Sequence, residues 1–252
     1  MASNLEIQFT FGTSLVVLAW WLRNTPYTFM SNSIAVYTSI TGSYEGLKTN
    51  QVYDGADFYC FTDQKPPSDP GKWTVLPATN LFSDPRMNAR YHKILAHEMF
   101  PDYEYTIWID GSLRMNIKAQ YFIDHMTHNM MTFKHPVRNC VYDEAEEVFR
   151  LQLDEPKKIA YQVNRLKDWG YPAQNGLAET KVVIRRNTGN VVMFNEEWFY
   201  QLATGSARDQ LSFNPAATIT GTPFDLMIPL GKGNPLFSVI KKHKRHLYKR
   251  AS

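Results

Sequence analysis

The chain has 252 residues, 44% of them hydrophobic and 14% aromatic, which is ample for a sizeable core and excludes disorder as its resting state. Cys60 and Cys140 form neither a disulfide framework nor a metal-binding spacing, so both read as buried thiols of a reducing, cytoplasmic protein. The formal charge of +3 belongs to the tail: residues 241–252 hold Lys241, Lys242, Lys244, Arg245, Lys249 and Arg250 with no acid, and the rest is net acidic. Such a run suits anionic lipid or a solvated helix end. With Tyr248 as its one aromatic it offers no stacking platform, so nucleic acid is not an expected partner.

Residues 1–32 read as an apolar appendage. The run from Phe9 to Leu22 is shorter than the about 20 residues that span a bilayer, and no cation precedes it as in a secretory signal. A packed accessory helix, a membrane-surface anchor and an upstream extension are its three readings. Peripheral membrane contact through this segment or the basic tail is the matching expectation.

The main domain is expected over residues 33–240. Ser33–Ser39 predicts a strand running into the polar turn Thr41-Gly42-Ser43, and Asp57–Thr62 predicts a second strand ending at Asp63. A loop with Pro66, Pro67, Pro70 and Gly71 leads to a short strand, Trp73–Leu76. Asp84-Pro85 then opens a helix expected to run through Arg90, Lys93 and His97, with proline where its missing N–H costs nothing. Next comes Tyr105-Thr106-Ile107-Trp108-Ile109, an apolar run that stops at Asp110-Gly111-Ser112. An acid at the carboxyl end of a buried strand is where open α/β sheets place ligand chemistry, although Asp-Gly is also a common turn. Helices are predicted over Asp143–Leu153, acid-rich at its start, and over Pro156 to about Trp169, where Ile159, Val163, Leu166 and Trp169 form a core stripe. A strand over Lys181–Ile184 and a helix starting in Val191–Trp198 follow. This alternation predicts an α/β domain with a largely parallel sheet.

The ordered blocks SIAVYTSITGSYEGL, DFYCFTD, ARYHKILAHEMFPDYEYTIWIDGSLRM, FKHPVRNCVYDEA, VIRRNTGNVVMFNEEWF and RDQLSF resemble a glycosyltransferase-like domain family. That family, formerly a domain of unknown function, occurs in bacterial polysaccharide-related and plant mucilage-related proteins. The resemblance covers about residues 33 to 230 and implies a GT-A-like nucleotide-sugar-binding fold, remotely similar to glycogenin-like transferases, with a mostly parallel central sheet flanked by helices. It implies transfer of a sugar from a nucleotide donor, a uridine-linked one first, to a hydroxyl of a glycan acceptor.

What the resemblance implies for the site is specific. Asp110 stands at the family's metal motif and would ligate a divalent cation, Mn or Mg. Ser112 stands where a second aspartate is expected, which weakens the site for a hard metal and raises the weight of Arg90 and Lys93, three apart on one helix face. Tyr37 and Thr38 would receive the base, with the Tyr37 ring stacking on it, and Asp63 would accept from base or ribose. His135, with Lys134 and Arg138 beside it, and Arg186 with Asn187 would contact donor phosphate or sugar. Asp209 and Gln210 would sit at the reaction centre, Asp209 as base if the reaction inverts and as a positioning group if it retains. His243 and His246 read as tail residues rather than ligands, and Gly231-Lys232-Gly233 is too short for a phosphate loop.

Two alternatives stay open. A non-catalytic glycan or nucleotide-sugar-binding domain is consistent with the missing second aspartate. One plant member of the family bears a ceramidase name, which makes an amide hydrolase the other alternative. Against that class, the chain has no Gly-X-Ser-X-Gly elbow and no His-Glu-X-X-His motif.

Overall fold

The computed structural model describes residues 30–231 and 233–240; the run Phe9–Leu22, the basic tail and its two histidines lie outside the described residues. Strand β1 (Met30–Ile40) is central, and Ile34 to Ile40 is buried on both faces, as parallel strands covered by two layers require. It pairs in parallel with β2 (Asp57–Thr62), which pairs in parallel with β3 (Trp73–Pro77). On its other side lies β4 (Tyr103–Ile109), again parallel. Beyond β4 come β7 (Ala178–Arg186), antiparallel to it, then β6 (Met130–Lys134) and β8 (Asp225–Met227), giving the order β3-β2-β1-β4-β7-β6-β8. The sheet is therefore mainly parallel, with β7 reversed.

The chain adds β2 and β3 on one side of β1 and then crosses to β4 on the other. The carboxyl ends of β1 and β4 thus flank a topological switch point, the place where an open α/β sheet leaves a crevice.

Helices cover the faces unequally. On one face α1 (Pro85–Ile94), α6 (Gly189–Thr204) and α7 (Gln210–Thr220) pack on the sheet around Ala35, Tyr37, Trp108, Val183, Trp198 and Phe213. The other face is closed by the ribbon of β5 (Leu113–Met115) with β9 (Phe237–Val239) and by Phe122 of α3 (Gln120–Asp124). Helices α4 (Val141–Arg150) and α5 (Pro156–Trp169) form a third cluster with Leu211. Among the described residues no helix is long and apolar enough to cross a membrane.

Local rules hold at α1: Asp84 caps it by accepting from the Arg86 amide, and Pro85 is its first residue. The helix does not run on to His97. It stops at Ile94, because Leu95 leaves helical geometry at φ −90°, ψ 44°, and the short α2 (Ala96–Met99) follows. The stripe expected on α5 also ends early. Ile159 and Leu166 are buried, but Trp169 is 46% exposed and stacks from outside on the buried Tyr171, beside the left-handed Gly170 (φ +76°) that ends the helix.

Candidate active site

Asp110 ends β4 in a turn: its amide donates to Lys181 O at 2.8 Å and its carbonyl accepts from the Leu113 amide at 2.9 Å. The same turn carries the carboxylate to the switch point. There the Trp108 indole donates to Asp110 Oδ1 at 2.8 Å. Lys93 Nζ, from the last turn of α1, lies 3.6 Å from that oxygen and 2.5 Å from Asp209 Oδ2, and it sits over the Trp108 ring. Arg90, one turn earlier, reaches Asp209 Oδ1 at 3.2 Å, and the Thr180 hydroxyl donates to Asp209 Oδ2 at 2.8 Å.

Asp209 is itself held from behind. Its carbonyl accepts from the Trp198 indole at 3.0 Å. The residues leading to it are fixed by buried Asp154, whose Oδ2 accepts from Ser206 Oγ at 2.6 Å and the Ala207 amide at 2.7 Å, and by Gln162, which accepts from the Ser206 amide at 2.9 Å. Burial alone would raise the Asp209 carboxyl, but Arg90, Lys93 and Arg208 together hold it far below the usual carboxylate range. Asp209 is thus an ionised anchor for cations. With one oxygen on Arg90 and the other on Lys93 and Thr180, it has neither oxygen free to turn to a substrate proton, which does not favour the general-base role that an inverting reaction would ask of it.

Thr180 meets this cluster because β7 is irregular. In the β6–β7 ladder Thr132 faces Val183 whereas its neighbour Phe133 faces Glu179, so extra β7 residues are accommodated between them. The Thr132 hydroxyl pins the irregularity, donating to Val182 O at 2.8 Å with Glu179 O at 3.2 Å. Bulges of this kind re-aim side chains beside functional sites.

The loop after β1 closes the site from the other face. Glu45 lies against Gly111 so tightly that a Cβ there would come within 2.6 Å of Glu45 Oε1. Burial, then the charge of Asp110, pushes the Glu45 carboxyl up to about 7. Burial also raises Glu179, with Asp110 adding to the rise while Lys181 opposes it. Glu45 borders an open cleft at the carboxyl ends of β1 to β3, lined by Ile40, Leu47, Thr62, Gln64 and Val75 among others. Asp63 is on this edge too and ties β1 to β2 by accepting from the Gly42 amide at 2.8 Å.

Several residues expected at the site are elsewhere or otherwise engaged. Tyr37 is fully buried, its ring packed on Phe100 and Trp108, so it cannot stack on a base. Its hydroxyl donates to Lys93 O at 2.8 Å and accepts from Arg185. Tyr37 and Thr38 lie inside the ladder opposite Tyr59 and Cys60, because β1 continues to Ile40. Arg186 and Asn187 lie at the opposite edge of the sheet: Arg186 pairs with Tyr105 and bridges Glu104 at 2.9 Å, and Asn187 donates to the Phe100 and Tyr103 carbonyls. A strand end marks the site only if the strand is parallel, and β7 is reversed. His135 is on the correct edge, at the end of β6, but its Nδ1 accepts from the Arg138 amide at 2.9 Å. Burial, then Arg138 and Lys181, lower its pKa to about 4, which favours a neutral ring held in the turn, with Nε2 3.7 Å from Glu144. Ser112 is buried beside Asp110, its carbonyl accepting from the Ile240 amide, and Gln210 opens α7.

The structure adds residues that sequence reasoning missed: Trp108, Thr180, Glu45 and Arg208. Thr180 had no signal without the direction of β7. Glu45 had one, since it lies just past the polar turn that follows β1.

A divalent cation suits this donor set poorly. Hard cations take several oxygens, mostly from carboxylates and water, yet one oxygen of Asp110 already accepts from an indole and faces an ammonium. Among the described residues no three His, Cys, Asp or Glu side chains are grouped to hold a metal. A dication about 4 Å from an ammonium is repelled by about 8 kcal/mol at the effective dielectric of a protein surface.

A mainly parallel α/β sheet with charged side chains converging at its switch point defines an α/β domain with a candidate ligand site at its strand ends. The family model for the TOD1/MUCI70 glycosyltransferase-like domain matches residues 61–226, and the chain belongs to that family. Two relatives from Arabidopsis thaliana are each 26% identical. One, the probable hexosyltransferase MUCI70, matches over 72% of this chain and 36% of its own length. The other, the alkaline ceramidase TOD1, matches over 67% of this chain and 43% of its own length. The chain thus spans less than half of either relative. Among solved structures, the apo form of the bifunctional glycosyltransferase WbbM is similar at 10% identity and a TM-score of 0.47, over 78% of this chain and 39% of that one.

Proposed function

We propose that this domain is a GT-A-like glycosyltransferase that moves a sugar from a nucleotide donor, a uridine-linked one first, to a hydroxyl of a glycan acceptor. The observation that carries the reading is the convergence of Arg90, Lys93, Asp110 and Asp209 on the switch point, inside a glycosyltransferase-like family. Cytoplasmic placement, with any membrane contact made by segments outside the described residues, belongs to the same proposal.

In this reading the base enters the cleft at the ends of β1 to β3 and the diphosphate points towards Arg90. The bond between the anomeric carbon and the diphosphate oxygen breaks, its electron pair staying on that oxygen. The acceptor hydroxyl forms the new bond to the anomeric carbon and gives up its proton. Glu45 has the carboxyl whose proton affinity suits that transfer near neutral pH. Asp209 acts through the cations it positions.

The test is incubation of the full chain with a panel of nucleotide sugars, following release of nucleoside diphosphate with and without glycan acceptors. Release is expected. Saturable nucleotide-sugar binding without release would favour a binding domain, and fatty-acid release from a ceramide with no nucleotide turnover would favour an amide hydrolase.

A further inference from the structure

We infer that this site neutralises a donor diphosphate with its own side-chain cations, Arg90, Arg208 and Lys93, in place of a divalent metal ion. The inference rests on the nucleotide-sugar reading above and concerns how that same site handles charge.

Three observations carry it. The first is the charge inventory. Arg90, Lys93 and Arg208 all act on Asp209 and Lys93 also contacts Asp110, while Glu45 and Glu179, the other carboxyls beside Asp110, are both pushed towards their protonated forms by burial and by its charge. The cations that meet at Asp209 outnumber the carboxylates they contact, the reverse of a site that recruits a metal through excess carboxylate.

The second is geometry. Lys93 Nζ is fixed between Asp209 at 2.5 Å and Asp110 Oδ1 at 3.6 Å, so a cation on that oxygen would meet an ammonium already in place. The Trp108 indole completes the hold on Asp110 Oδ1. Ser112 brings no second carboxylate to the turn.

The third is unspent donor capacity. The Nε–H groups of both Arg90 and Arg208 are buried with no acceptor. A buried guanidinium donor without a partner is costly, and a multivalent oxyanion is the ligand class that its fork fits. The Arg90 side chain is 21% exposed, so it is reachable from solvent while its terminal nitrogen is held by Asp209. During transfer these cations would meet the charge that grows on the departing phosphate, the role a metal otherwise fills.

Calorimetric titration of the full chain with uridine, guanosine and adenosine diphosphate, each in excess EDTA and again in manganese, tests this. The expected result is binding of one nucleotide with affinities that agree within about twofold in the two buffers. In EDTA, Arg90→Gln and Arg208→Gln should each lose about tenfold, with added salt weakening the wild type more than either variant. Arg208→Gln serves as the second variant if loss of Arg90 unfolds the chain, with circular dichroism reporting the fold of both. Binding that requires manganese overturns this inference and leaves the nucleotide-sugar reading standing. Binding to none of the three in either buffer overturns both.

Discussion

Lys93 Nζ and Asp209 Oδ2 are 2.5 Å apart and 116 residues apart in the chain. The pair ties the last turn of α1 to the first turn of α7 across the carboxyl edge of the sheet, and both side chains are almost wholly buried. Burial lowers the Lys93 ammonium, while Asp209 and Asp110 oppose that shift from either side. The site is therefore built around an ion pair whose members each need the other.

Asp209→Asn tests that dependence. Removing one partner of a buried pair costs about 3–5 kcal/mol, a fall in Tm on the order of 10 °C for a domain of this size. The depressed Asp209 pKa also gives stability that is present above its unfolded value of about 3.9 and is lost as pH falls towards the folded value. Thermal melts from pH 7 down to pH 3 should show a steeper loss for the wild type than for the variant. An unchanged Tm at pH 7 would reduce Asp209 to a bystander.

Asp110 carries a different expectation. Its side chain is 27% exposed, so Asp110→Ala should leave the Tm within about 4 °C of wild type while abolishing nucleotide-sugar turnover. Turnover and melting measured on one preparation separate the two effects. Full activity in the variant would remove Asp110 from the site.

Glu45→Gln should act through pH. A carboxyl raised from 4.5 to about 7 in the folded state makes the protein less stable as pH climbs through that interval, because the folded chain keeps a proton the unfolded chain has released. The variant should match wild type near pH 4.5 and exceed it above pH 7, the gain being limited by the partial exposure of the loop. If Glu45 takes the acceptor proton, turnover should fall at the same time. Parallel melting curves at every pH would contradict the shift.

Arg185→Lys addresses the scaffold. The buried Arg185 guanidinium donates to Ile94 O at 2.9 Å, Asn195 Oδ1 at 2.7 Å, Lys93 O at 2.7 Å and the Tyr37 hydroxyl, fixing the end of α1 against the sheet. An ammonium has three donors and no planar fork, so the substitution should cost about 2 kcal/mol or more. Chemical denaturation measures it, and a change below about 0.5 kcal/mol would show the network to be dispensable.

The sequence by itself determined the elements whose signals are local. The strand Asp57–Thr62 was legible to the residue, as was the start of α1 at Asp84-Pro85, because a buried apolar run and a helix cap are written in adjacent residues. The convergence of Asp110, Arg90 and Lys93 had local signals too: a strand that stops at an acid, and two cations one turn apart. What only the tertiary structure decided is where these side chains point and what they meet. Tyr37 looked like a strand-end residue and lies inside the ladder; Arg186 looked like a site residue and lies at the far edge. Strand direction is set by the crossover between strands, which no short window of sequence contains. The partners of Asp209 follow the same logic, since an ion pair closed over 116 residues exists only once the sheet has brought its two helices together. The strand ending in Asp110 marked the place, and the fold supplied Lys93 as the cation beside it.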